Sequence, residues 1–134
     1  MTWICKRPRQ GDIIRVRVKF YHHYGIYFSD DLIVQFGQPD NSGIDPKDIA
    51  VMVTDFDSFL RGSDWETAQL SFKERLKRYS PRKTKKIALS RVGQKGYNIL
   101  HNNCEHFVYE CVFGCHDSFF VKSVREEIRE KCDK

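Results

Sequence analysis

The chain has 134 residues, a length that fits one domain with little room for a second. With 40% hydrophobic and 31% charged residues, its composition is that of a globular protein and excludes a disordered one. A formal charge of +5 is a mild basic bias, compatible with anionic surfaces yet no larger than an ordinary solubility charge.

Residues 1–10 are basic, carry Pro8 and read as a lead-in. Gly11-Asp12 opens an alternating stretch in which Ile14, Val16, Val18 and Phe20 share one face and Arg15, Arg17 and Lys19 the other, the pattern of a half-buried strand. His23 to Phe28 and Leu32 to Phe36 follow as a hairpin around Ser29-Asp30-Asp31. A three-residue loop makes Phe28 oppose Leu32, Ile26 oppose Val34 and Tyr24 oppose Phe36, all on one apolar face. His23, Gly25, Tyr27, Ile33 and Gln35 then share the other face, which is expected to be open. A two-residue turn would separate His23 from Gln35.

Residues 37–48 are rich in turn formers and read as a loop. Residues 49–54 form a further strand, with a short helical turn around Ser58-Phe59-Leu60. Residues 73–79 and 82–93 are expected to be helical. Asn103 is a suitable N-cap for a helix over 104–114, with Gly114 as its stop and Phe107, Val108, Cys111 and Val112 on its apolar stripe. A final charged helix covers about 117–131. Strands early and helices late predict an α+β fold, an antiparallel sheet packed against helices.

The five cysteines, Cys5, Cys104, Cys111, Cys115 and Cys132, are odd in number and irregular in spacing, which does not suit a secreted disulfide framework. No signal peptide is visible, and no stretch approaches the ~18 apolar residues of a membrane span. A soluble, cytoplasmic protein is expected. Any membrane contact would then be peripheral or use a segment outside this chain. His101, Cys104, His106, Cys111, Cys115 and His116 lack paired Cys-x-x-Cys spacing, so no metal is expected. The basic run from Arg78 to Lys86 could rest on anionic lipid headgroups, against a plain reading as a solvated helix entry. Aromatics are not interleaved with it, so nucleic acid is not expected as a partner.

Chemistry concentrates on Cys104. In the first turn of a helix it meets unpaired backbone N–H groups and the positive end of the helix dipole, which favour a thiolate and can hold an oxyanion. A cysteine nucleophile needs a base, which a strand histidine such as His23 supplies, and a third polar group to fix the imidazole, a role for which Gln35 is placed. His106 and Glu105 diverge from Cys104 on a helix and read as structural, and His22 points away from His23 on the strand. Tyr27 and Tyr97 are expected near the site without a catalytic role.

Asn103-Cys104-Glu105-His106-Phe107 resembles the signature of the lecithin:retinol acyltransferase family. So does the wider stretch from Tyr97 to Val108. Gln10-Gly11-Asp12-Ile13-Ile14 is similar to that family's Pro-Gly-Asp opening, with Gln10 for proline, and the segment from His23 to Asp30 is similar to its first histidine motif. The resemblance covers about 10–37 and 82–114 in the family's order. It implies a circularly permuted papain-like fold, one catalytic domain over 1–134, Cys104 as nucleophile and His23 as general base. The third position, commonly histidine, maps to Gln35, which can orient the imidazole but carries no charge. The implied activity is that of a thiol acyltransferase or phospholipase A-like acyl hydrolase. It would act on phospholipid or a related acyl ester through an acyl-cysteine thioester, without a cofactor, and retinol is not the expected substrate. The alternatives are a papain-like amidase or peptidase and a catalytically weakened binding module.

Overall fold

The computed structural model describes residues 1–19, 21–37, 45–98 and 103–115. Within them, β1 (Thr2–Ile4), β2 (Asp12–Val18), β3 (Tyr21–Ser29), β4 (Leu32–Phe36), β5 (Val51–Thr54) and β6 (Trp65–Gln69) form one antiparallel sheet in the order β1-β6-β2-β3-β4-β5. Four helices join it: α1 (Phe56–Leu60), α2 (Phe72–Lys77), α3 (Pro81–Ser90) and α4 (Cys104–Phe113). This is the α+β class expected, but strands and helices interleave. The chain returns after α1 to insert β6 between β1 and β2, and the lead-in supplies the edge strand β1. The expected helix over 117–131 lies outside the described residues, as does most of the expected loop over 37–48.

The alternation in β2 appears as read: Ile14 and Val16 are buried while Arg17 is exposed. Ile13 is buried too, because the sheet is covered on both faces. Ile13, Tyr24, Ile26, Phe28, Val34, Phe36 and Val51 pack with α4, whereas Ile14, Val16, Tyr27 and Ile33 pack with Phe56 and Phe59 of α1. The face expected to be open is therefore closed. Its cover depends on Gly25: a Cβ there would lie 2.7 Å from Phe59 Cε2, so only glycine lets α1 seat this closely.

The β3–β4 hairpin corrects a second expectation. Ile26 opposes Val34 and Gly25 opposes Gln35, as predicted, but Ser29 and not Phe28 opposes Leu32. The turn holds only two residues, Asp30-Asp31, and a bulge at Phe28 absorbs the residue by which a two-residue turn would slip the register. Tyr27 and Arg7 hydrogen-bond the Asp30 carboxylate at 2.6 and 2.5 Å, and the Asp30 carbonyl accepts from Phe56 N–H, tying the turn to the start of α1. The bulge keeps His23 and Gln35 on one face.

α4 is the central helix. Asn103 caps it: its side chain accepts from Glu105 and His106 N–H, and its own N–H donates to His106 Nδ1 at 3.3 Å. Gly114 ends it in the left-handed conformation at φ 72°. Cys104, Phe107, Val108, Tyr109, Cys111 and Val112 are all buried, so the helix is held from both ends and along its length.

Candidate active site

Cys104 is the first residue of α4 and is 4% exposed. Its sulfur lies at the backbone N–H groups of Tyr24, Glu105 and Cys104 itself. These donors favour a thiolate. Burial outweighs them and, with the Glu105 carboxylate adding to it, pushes the thiol up to about 11. Glu105 thus acts electrostatically on the thiol, a role that spacing along a helix did not suggest.

His23 and Gln35 meet on the α1 face of the sheet. His23 Nε2–H donates to Gln35 Oε1 at 2.6 Å, and the two residues are 1% and 2% exposed. The register that opposes Gly25 to Gln35 places this pair on neighbouring strands one diagonal step apart. Phe59 lies over the imidazole, ring centroids 5.5 Å apart. Burial pulls His23 down to about 4; the Gln35 hydrogen bond opposes that, and the charge of Arg61 adds to it. The hydrogen bond fixes the tautomer with Nε2 protonated, which leaves Nδ1 as the basic nitrogen.

The three residues singled out by sequence thus reach the site by two routes. His23 and Gln35 are in direct contact. Cys104 comes from the α4 face and touches the backbone of Tyr24, one peptide from His23, with no hydrogen bond between thiol and imidazole. Burial raises the thiol pKa and lowers that of the imidazole, and both shifts oppose a resting ion pair in this closed arrangement. His106 serves the cap, His22 faces Glu66 at 3.9 Å on the opposite side of β3 from His23, and Cys111 faces the core. Tyr27 lies on the His23 face, where its ring packs on Phe56 and its hydroxyl is spent on Asp30. Tyr97 packs edge-on against Phe36.

The sequence matches the lecithin retinol acyltransferase family over residues 6–117, which includes every residue of this constellation. The chain belongs to that family. Among curated relatives, Phospholipase A and acyltransferase 3 of Homo sapiens is 32% identical over 127 residues, covering 87% of this chain and 78% of that protein. Phospholipase A and acyltransferase 5 of Mus musculus is 27% identical over 121 residues, 81% of this chain and 42% of its own length. Lecithin retinol acyltransferase of Rattus norvegicus is 25% identical over 126 residues, 78% of this chain and 54% of its own. Membership of the lecithin retinol acyltransferase family agrees with the motif blocks around His23 and Cys104. Among the described residues, no helix is long and apolar enough to cross a membrane.

Proposed function

We propose that this chain is a cysteine-dependent acyltransferase or acyl hydrolase acting on phospholipid or a related acyl ester. The observation that carries the reading is a capped helix start that sets the Cys104 sulfur against the strand backbone beside a histidine oriented by Gln35. Family membership, and relatives named as phospholipases and acyltransferases, support the substrate class.

The steps follow from the groups present. His23 Nδ1 takes the Cys104 proton once the site opens, water lowers the thiol pKa and the imidazole comes within hydrogen-bond reach of sulfur. Catalytic hydrogen bonds are often incomplete before substrate arrives. The thiolate attacks the ester carbonyl, and backbone N–H groups at Tyr24, Cys104 and Glu105 stabilise the oxyanion. The imidazolium returns its proton to the departing alcohol oxygen, which leaves an acyl thioester on Cys104. Neutral His23 then removes a proton from water, an amine or an alcohol as that acceptor attacks the thioester; the C–S bond breaks and the imidazolium returns the proton to the departing Cys104 sulfur. Gln35 holds the ring throughout but, being uncharged, stabilises the imidazolium less than an ionisable partner would. No cofactor enters these steps. A strand histidine that precedes a helix cysteine fits a circularly permuted papain-like arrangement, with about 10–114 as the catalytic unit. Among the described residues, four free cysteines fit a reducing, cytoplasmic setting.

The near-complete burial of Cys104, His23 and Gln35 favours a second reading, a weakened enzyme that binds lipid without turnover. Release of fatty acid and lysolipid from short-chain phosphatidylcholine decides between them. Turnover abolished by Cys104→Ala is expected. Amide cleavage without ester cleavage would make the chain an amidase, and no turnover of either would leave the binding module.

A further inference from the structure

Phe72 and Leu76 are 69% and 70% exposed, far more than the other exposed large apolar side chains of the described residues. They stand one turn apart on α2 and so share a face. α2 is unusual in another respect: none of its six residues is buried. A capping box between Ser71 and Glu74 holds its start, and its side chains add nothing to the core. So short a helix is marginal in water, and an apolar pair held in solvent at i and i+4 adds little to its stability.

The charge around this pair points to what covers it. Residues 72–95 hold ten of the chain's 23 lysines and arginines and one of its 18 acids. The remaining residues, with 13 cations against 17 acids, are net acidic, so the basic bias of the chain lies wholly in this segment. Lys73, Arg75 and Lys77 flank Phe72 and Leu76 on α2 and are exposed, and Arg82, Lys83 and Lys86 follow on α3, also exposed. The one acid, Glu74, is committed to the cap and to the Met1 amino group at 2.8 Å. A second copy of this surface would bring cations against cations. A nucleic acid would leave Leu76 without a use, since stacking needs a ring. An anionic bilayer matches both halves of the feature: acyl chains for the apolar pair and headgroups for the ring of cations.

We propose that α2 is a membrane wedge, with Phe72 and Leu76 entering the acyl boundary of an anionic phospholipid surface and Lys73, Arg75 and Lys77 lying at its headgroups. This deepens the phospholipid reading given above and rests on it for its purpose, though not for its test. The wedge places the chain at the interface where a diacyl substrate resides.

The test is co-sedimentation of the full chain with vesicles of phosphatidylcholine containing about one-third phosphatidylserine, and with phosphatidylcholine alone. The wild type is expected to bind the anionic vesicles and to lose them at high salt. Phe72→Ser/Leu76→Ser leaves the charge unchanged and is expected to weaken binding by about tenfold or more. Because neither side chain is buried, circular dichroism and the unfolding midpoint should stay as in the wild type. Phe72→Trp supplies an independent readout, a blue-shifted emission on adding anionic vesicles. Undiminished binding of the double variant, or an unshifted Phe72→Trp emission, overturns the wedge. So does a dimer in sedimentation velocity that the double variant abolishes. Turnover of a soluble short-chain ester should be the same in the double variant and wild type. If the wild type turns over no ester yet shows the wedge-dependent vesicle binding, the enzymatic reading fails and the wedge stands.

Discussion

The two faces of the sheet are closed in different ways. On one, the ten-residue α4 is capped at both ends and buries six side chains, and the thiol sits at its first residue. On the other, the five-residue α1 lays Phe59 against the imidazole of a buried polar pair, while its Phe56 packs on Tyr27 and Trp65. The proposed nucleophile, Cys104, therefore belongs to the more deeply packed side of the molecule and the proposed base, His23, to the lightly covered side. Opening the site for a substrate is cheaper at α1, because fewer apolar contacts and a single short helix have to yield.

Paired truncations test this contrast most strongly. Phe107→Ala removes a fully buried ring from α4 and is expected to cost about 3–5 kcal/mol in urea unfolding, with the His23 pKa left near its wild-type value. Phe59→Ala is expected to destabilise as well, but also to admit water beside the imidazole and raise the His23 pKa towards 6.5, read by NMR titration of its ring. Equal His23 pKa values in the two variants would remove the distinction between the faces.

Acid sharpens it next. Folding lowers the His23 pKa from 6.5 to about 4, so between these values the unfolded chain holds a proton that the folded one lacks. Stability is therefore expected to fall by roughly 3 kcal/mol as pH drops from above 6.5 to about 4, and His23→Gln should remove most of that slope. His22, also lowered chiefly by burial, leaves a smaller slope of the same sign. Gln35→Leu removes the hydrogen bond that raises the His23 pKa. It should deepen the depression and cost about 1–3 kcal/mol by leaving buried Nε2–H unsatisfied.

Much of this was legible in the residues. Ile14 to Val18 announced β2 through strict alternation, Phe20 lying outside the described residues, and Asn103 with Gly114 bracketed α4 to within one residue. The pairing of Gly25 with Gln35 also followed from apolar matching, although the turn length did not, because a bulge conceals itself in a sequence by restoring the register. β6 escaped notice because its buried residues include Thr67, a polar side chain satisfied by the Lys6 carbonyl at 2.7 Å. The closure of the His23 face was hidden for a different reason: it depends on which helix returns to cover it. Gly25 in mid-strand was the one local sign that something packs closely there. Phe72 and Leu76 show the reverse, an apolar i, i+4 pair that sequence logic buries and the fold leaves in solvent.

The central claim is that Cys104 carries the acyl group. Intact-protein mass after mixing with short-chain phosphatidylcholine at neutral pH measures this directly, with Cys104→Ala alongside and lipid release read from the same tube. The account predicts an acyl-sized gain that hydroxylamine removes and that Cys104→Ala lacks, or, where deacylation is fast, lysolipid release that depends on Cys104. Neither adduct nor release from the wild type, or release undiminished in Cys104→Ala, would contradict it.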